Sequence, residues 1–81
     1  MKYKYYLKYD MIGAVMDGIE EHPQLEMKNL SELLDFEILY SEPVPMADGW
    51  MFLIKSSYPT LIEKFPKFLI PLGVPENLDK Y

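Results

Sequence analysis

The chain has 81 residues, of which 49% are hydrophobic and 15% aromatic, and it carries a formal net charge of −5. This length holds one domain, residues 1–81, and the apolar content excludes a chain that is disordered throughout. The absence of cysteine excludes disulfides and thiolate chemistry, no apolar run reaches the roughly 18 residues of a membrane span, and the basic start lacks the apolar core of a secretory signal. We therefore expect a cytoplasmic protein.

Charge is distributed unevenly along the chain. Residues 10–54 carry ten acidic side chains against the single Lys28, and all eight basic residues of the chain are lysine. Arginine, whose guanidinium group forms bidentate hydrogen bonds with phosphate and guanine, is absent. This distribution disfavours nucleic acid and acidic membranes as partners and favours a protein with a basic surface.

The first predicted element is a strand over residues 2–9. Aromatic or apolar residues alternate there with lysine, the period-2 pattern of a strand with one buried face. The face expected to be buried carries Tyr3, Tyr5, Leu7 and Tyr9. Lysines on the other side discourage edge-to-edge association of sheets.

A helix capped by Asp10 is predicted from Met11 to about His22. Its apolar residues recur at i, i+3, i+4 and i+7, which makes one stripe for packing in the core. The stripe consists of Ile12, Val15, Met16 and Ile19. Pro23 is expected to end this helix, because the residue before a proline is pushed out of helical geometry.

Residues 24–35 fit several structures, and the sequence leaves strand, helix and loop open. Leu25 and Met27 alternate with polar residues, as in a short strand. Alternatively, Asn29 caps one or two helical turns that carry Leu30 and two further leucines.

The central predicted feature is a hairpin over residues 36–55, with a proline-bearing loop over residues 42–49. One face of the first strand carries Phe36, Ile38 and Tyr40, and one face of the return strand carries Trp50, Phe52 and Ile54. The opposite faces carry Leu39, Met51 and Leu53, which would form with Tyr6 an apolar patch rimmed by Glu37 and Lys55. The return strand is apolar on both sides, as a central strand covered on both faces would be.

A second helix is predicted after Ser56 or Ser57, with an apolar face of Leu61, Ile62 and Phe65, and Pro66 ends it. Residues 68–72 form a last short strand, which Pro71 restricts to an edge of the sheet. Residues 73–81 are expected either to fray as a tail or to add one helical turn.

This order of elements predicts an α+β fold, a small two-layer sandwich in which an antiparallel sheet carries two helices on one face, with βαββαβ topology. The alternative is a three-stranded meander with two helices and an extended C-terminal arm. No internal repeat is present.

The sequence contains no nucleotide-binding or metalloprotease motif, and His22 is its only histidine. We therefore predict no enzyme, no catalytic residue, no metal and no cofactor. We expect a protein-binding module, a small acidic inhibitor or adaptor that engages a basic surface. The alternative is a homodimeric regulatory or ligand-binding domain. The predicted partner-binding residues are Glu32, Asp35, Glu37, Leu39, Tyr40, Met46, Asp48, Trp50, Met51 and Leu53.

Overall fold

The computed structural model describes residues 3–44, 49–57 and 65–78. Its elements in chain order are β1 (Tyr3–Asp10), α1 (Met11–Met16), α2 (Pro23–Leu34), β2 (Phe36–Val44), β3 (Gly49–Ser56) and β4 (Leu69–Asn77). The strands pair in the order β2-β3-β1-β4, and each neighbouring pair is antiparallel. The predicted α+β class with an antiparallel sheet and helices is confirmed, and the three-stranded meander is wrong.

The strand order is that of a split βαβ arrangement. Since β1 and β2 both run antiparallel to β3, they are parallel to each other with β3 between them. In the same way, β3 and β4 are parallel with β1 between them. The apolar strand β3 is central, as its sequence predicts. The lysine-bearing strand β1 is also central, so its lysines do not protect an edge.

The first helix ends earlier than the apolar pattern predicts. Asp10 occupies the N-cap position without a side-chain cap hydrogen bond, and the helix ends at Met16. Gly18 has a φ of +84°, the Gly18 amide donates to the Val15 carbonyl at 3.0 Å, and the Ile19 amide donates to the Ala14 carbonyl at 3.0 Å. These two bonds form a Schellman motif, in which glycine readily takes the left-handed conformation. Gly18, not Pro23, therefore terminates α1.

Residues 24–34 belong to a helix. The short strand and the cap at Asn29 are therefore wrong, whereas the helical alternative for Leu30 and the two leucines after it is confirmed. Pro23 begins α2 at a position where proline costs no hydrogen bond, and Nδ1 of His22 accepts from the Gln24 amide at 3.2 Å. The helix ends where Asp35 takes a left-handed conformation with φ 56°. The buried residues of α2 recur at helical spacing: Pro23, Met27, Leu30 and Leu34.

The core lies between the helices and one face of the sheet. The prediction that one face of β1 is buried is confirmed. Tyr5, Leu7 and Tyr9 are buried, and Tyr3 packs partly against the core. From β3 the core receives Phe52 and Ile54. The rings of Tyr9 and Phe68 meet edge to face with centroids 4.9 Å apart.

The β2–β3 ladder contains a bulge at Leu39. Ile38 pairs with Ile54, whereas Tyr40 pairs with Leu53, so Leu39 is an extra residue in β2. An inserted residue shifts the alternation of side chains by one, so each later side chain lies on the face opposite to the one that regular alternation would give it. Tyr40 is therefore on the face opposite Ile38, and the prediction that Phe36, Ile38 and Tyr40 share one face is wrong for Tyr40.

The last strand is longer than predicted and continues to Asn77, so residues 73–77 are part of the sheet and the predicted tail is wrong for them. The pairing of β4 with β1 is irregular between Leu72 and Glu76, which pair with Tyr6 and Lys4. Pro71 lies on an edge strand, as predicted. The helix predicted after Ser57 falls on residues 58–64, outside the described ranges, and its last apolar residue, Phe65, is buried.

We expect the substitution Tyr9→Phe to stabilise the protein by about 1 kcal/mol, since an unpaired buried polar group costs free energy. The Tyr9 hydroxyl is buried and makes no hydrogen bond within the described part of the chain. Burial, and secondarily the charge of Glu26, raises the pKa of Tyr9 from 10.0 to about 12. The measurement is urea unfolding at neutral pH, with Tyr6→Phe as the control, because Tyr6 is 42% exposed.

The same pKa predicts an alkaline loss of stability. Below pH 10 the hydroxyl is protonated in both states, and as the pH rises from 10.0 to about 12 only the folded protein keeps the proton. The free energy of unfolding should therefore fall over this interval, and Tyr9→Phe should reduce that fall. An equal alkaline slope in wild type and variant would contradict the role of Tyr9.

Candidate functional site

One face of the sheet faces away from both helices. α1 contacts β1 and β3, α2 contacts β2, and the buried residues of these strands alternate with a second set that faces away from the core. We call this second set the open sheet face. Strand pairing arranges the side chains of this face in three rows that run across the strands in the order β2, β3, β1 and β4. The first outer row is Glu37, Lys55, Lys4 and Glu76, and the middle row is Tyr40, Leu53, Tyr6 and Leu72. The second outer row is Glu42, Met51, Lys8 and Ile70.

The middle row of the open sheet face is wholly apolar or aromatic. Tyr40 is 50% exposed, Tyr6 is 42% exposed and Leu72 is 39% exposed, while Leu53 is half-buried between its neighbours. The outer rows carry three lysines, all on central strands, and three glutamates, all on edge strands. Among the residues that the structure describes, the charges of this face therefore balance.

Two interactions between described residues hold charged groups on this face. Nζ of Lys4 lies 3.5 Å from Oε2 of Glu76 across the β1–β4 pair. The Tyr40 hydroxyl donates to Oε2 of Glu42 at 2.7 Å, and this hydrogen bond to a carboxylate raises the pKa of Tyr40. Both glutamates thus have partners within the chain.

A second exposed apolar surface lies on α1. Its residues are Met11, Ile12, Val15 and Met16, which line a shallow depression of about 380 Å³ and which we call the α1 patch. Val15 is 70% exposed and Met16 is 82% exposed. The prediction that Ile12, Val15 and Met16 belong to the core is wrong, and of that stripe only Ile19 packs partly against the core.

Small residues on the inner side of α1 explain its orientation. Ala14 is its only buried residue, and a Cβ on Gly13 would lie 3.2 Å from Cβ of Phe68. The helix backbone therefore approaches the core closely through Gly13 and Ala14, and the larger side chains are turned outward.

Carboxylates border the α1 patch on two sides. Asp17 lines a depression together with Met16, and Glu21 lines a small cavity together with Met11 and Val15. The first depression also includes one basic residue, Lys67. Among the described residues that line these two depressions, Asp10, Asp17 and Glu21 are acidic and Lys67 is basic.

The structure separates the residues that the sequence predicts as partner-binding. Glu37, Tyr40, Met51 and Leu53 lie together on the open sheet face, and Leu39 lies in the bulge beside them. Glu32 is exposed on α2 and Asp35 caps that helix. Met46 and Asp48 are outside the described residues.

Trp50 lies on the helix-covered side of the sheet, half-buried. Its ring is 5.1 Å from that of His22 and 6.4 Å from that of Phe52. Trp50 packs partly against the core, on the side of the sheet opposite the open sheet face. Sequence reasoning missed the α1 patch and the contributions of Ile70 and Leu72 from β4, because helical and strand periodicity show which residues share a face but not which face is covered.

Residues 3–44, 49–57 and 65–78 contain no group of three or more side chains that could hold a metal ion. Within the same ranges, no helix is long and apolar enough to cross a membrane. No family model matches the chain, and no curated protein and no solved structure matches it significantly. The open sheet face and the α1 patch are the candidate interaction surfaces in the described part of the chain.

Proposed function

We propose that this chain is a non-enzymatic protein-binding module, a small inhibitor or adaptor, which engages a basic surface of a partner protein through the α1 patch. The observation that carries the proposal is the exposure of four large apolar side chains on α1 with carboxylates on two sides. A cysteine-free chain suits the reducing cytoplasm, where we place the protein.

The apolar part of this surface supplies the gain in free energy on binding. Val15 and Met16 are the most exposed large side chains of α1, and water released from apolar area favours association by about 25 cal/mol per Å². Methionine side chains are unbranched and adapt to the shape of a partner, so Met11 and Met16 suit an interaction surface.

The acidic part determines the chemistry of the partner. Asp17, Glu20 and Glu21 follow the helix directly, and all three are exposed. Such a field accelerates association with lysine- and arginine-rich surfaces and repels the phosphates of nucleic acid. In the part of the chain that the structure describes, the open sheet face carries three lysines and three glutamates, which balance and supply no comparable field.

The test compares partner capture by the wild-type protein and by two variants with the same new charge. Val15→Glu places a carboxylate in the α1 patch, whereas Leu72→Glu places one on the open sheet face at an edge strand. We expect Val15→Glu to abolish capture of a specific protein from the source cells, and Leu72→Glu to retain it. Circular dichroism and thermal unfolding should show that both variants stay folded.

Charge reversal tests the steering of the partner. For the protein captured, the double variant Asp17→Lys with Glu21→Lys should lower the association rate about tenfold at low ionic strength and reduce its dependence on salt. Capture that is equal for wild type and Val15→Glu, or an association rate unchanged by the charge reversal, would refute the proposal.

A further inference from the structure

Methionine is the only sulfur-bearing residue of the chain, and the described methionines lie in very different surroundings. Met27 is buried in the core, and Met51 is half-buried on the open sheet face. Met16 is 82% exposed and Met11 is 36% exposed, and both belong to the α1 patch. We propose that a hydroperoxide oxidises these two methionines to the sulfoxide and thereby releases the protein partner from the α1 patch. This redox switch rests on the proposed function, because it regulates the same site.

The reaction requires a thioether that the oxidant can reach. A lone pair of the methionine sulfur attacks the outer oxygen of the hydroperoxide, the O–O bond breaks, an S–O bond forms, and water or an alcohol leaves. The sulfur loses two electrons and the peroxide gains them. The chain has no cysteine, whose thiolate would compete for the oxidant. Met16, the most exposed of the described methionines, is therefore expected to react first among them.

The product changes the chemical character of the α1 patch. Oxidation converts a flexible apolar side chain into a polar one. Met11 and Met16 are the first and last residues of α1, with Ile12 and Val15 between them, so two polar S–O groups would flank the apolar contact. Burial of a polar group against an apolar surface is unfavourable unless it finds a hydrogen-bond donor. We therefore expect the oxidised protein to bind its partner about tenfold more weakly, or weaker still.

The fold should survive this oxidation. α1 approaches the core through Gly13 and Ala14, and the core cluster of the described residues contains neither Met11 nor Met16. Met27, which does belong to that cluster, is shielded from the oxidant. Methionine sulfoxide reductases, one for each epimer at sulfur, restore the thioether. Two thiols then become a disulfide and the oxygen leaves as water, so the switch can be reset.

Peptide mass spectrometry of the full chain after graded treatment with hydrogen peroxide measures the order of oxidation. Among the described methionines, we expect Met16 to gain an oxygen atom first and Met27 to gain one last. An unmodified Met27 also shows that the treated protein stays folded. Oxidation of Met27 as fast as that of Met16 would refute the switch.

Matched variants assign the loss of binding to the α1 patch. The double variant Met11→Leu with Met16→Leu keeps apolar side chains of similar volume but has no thioether in the patch, and Met51→Leu removes a thioether elsewhere. The quantity compared is each protein's dissociation constant for the captured partner after oxidation, relative to its value before. This ratio should be about ten or more for the wild type and Met51→Leu, and close to one for the double variant. Methionine sulfoxide reductases should return the wild type to its first value.

The outcomes distinguish a failure of the switch from a failure of the proposed function. A ratio close to one for the wild type with oxidised Met16, while Val15→Glu still abolishes capture, would refute the switch and keep the α1 patch as the binding site. An equal loss of binding in the oxidised double variant would place the effect at another residue and would also refute the switch. Capture by Val15→Glu equal to that by the wild type, measured without oxidant, would refute the proposed function and the switch with it.

Discussion

The substitution Phe52→Ala is expected to lower the free energy of unfolding by about 3–5 kcal/mol, because it removes a large aromatic side chain from a packed core. Phe52 is 1% exposed on the central strand β3. Its ring lies 6.3 Å from that of Tyr9 and 6.4 Å from that of Trp50. A small domain has roughly 5–15 kcal/mol of stability in total, so the loss is a large fraction of the whole. Urea unfolding followed by circular dichroism measures it.

The neighbouring residue provides the matched control. Leu53 is next to Phe52 in the same strand, but it lies half-buried on the open sheet face. Leu53→Ala should cost less than half as much as Phe52→Ala, because the Leu53 side chain stays partly exposed in the folded protein. Equal losses would mean that both faces of the sheet are buried to the same depth within one chain, which would contradict the open sheet face.

Deletion of Leu39 should leave the fold intact, whereas deletion of Leu53 should prevent folding. Leu39 is the extra residue of the bulge, so without it Ile38 still pairs with Ile54 and Tyr40 still pairs with Leu53. We expect a cost of about 1–2 kcal/mol, in the range of an ordinary substitution.

The second deletion has a different consequence because β3 has no extra residue at Leu53. Loss of that residue moves either Phe52 or Ile54 from the core to the open sheet face. Each of these side chains contributes about 2–5 kcal/mol when buried, so the shortened chain should be unfolded. Circular dichroism distinguishes the two deletions, and NMR contacts between Ile38 and Ile54 report the register. An unfolded Leu39 deletion would contradict the bulge.

The sequence by itself determined which side of β1 is buried and that β3 is a central strand. Alternation in β1 identified Tyr5, Leu7 and Tyr9 as the buried set, and the apolar pattern of β3 identified it as a central strand. Pro71 correctly restricted β4 to an edge. These properties follow from local chemistry, because a pleated strand alternates its side chains and proline lacks an amide hydrogen.

Only the tertiary structure decided which apolar residues are covered. The stripe on α1 has the spacing of a core helix, yet Met27, Leu30 and Leu34 of α2 occupy the core, and α1 approaches through Ala14. The bulge at Leu39 likewise moved Tyr40 to the open sheet face. A sheet face has a limited area, and the apolar side chains available to cover it exceed that area. Which of them remain exposed, and so form the candidate sites, depends on how all the elements pack together.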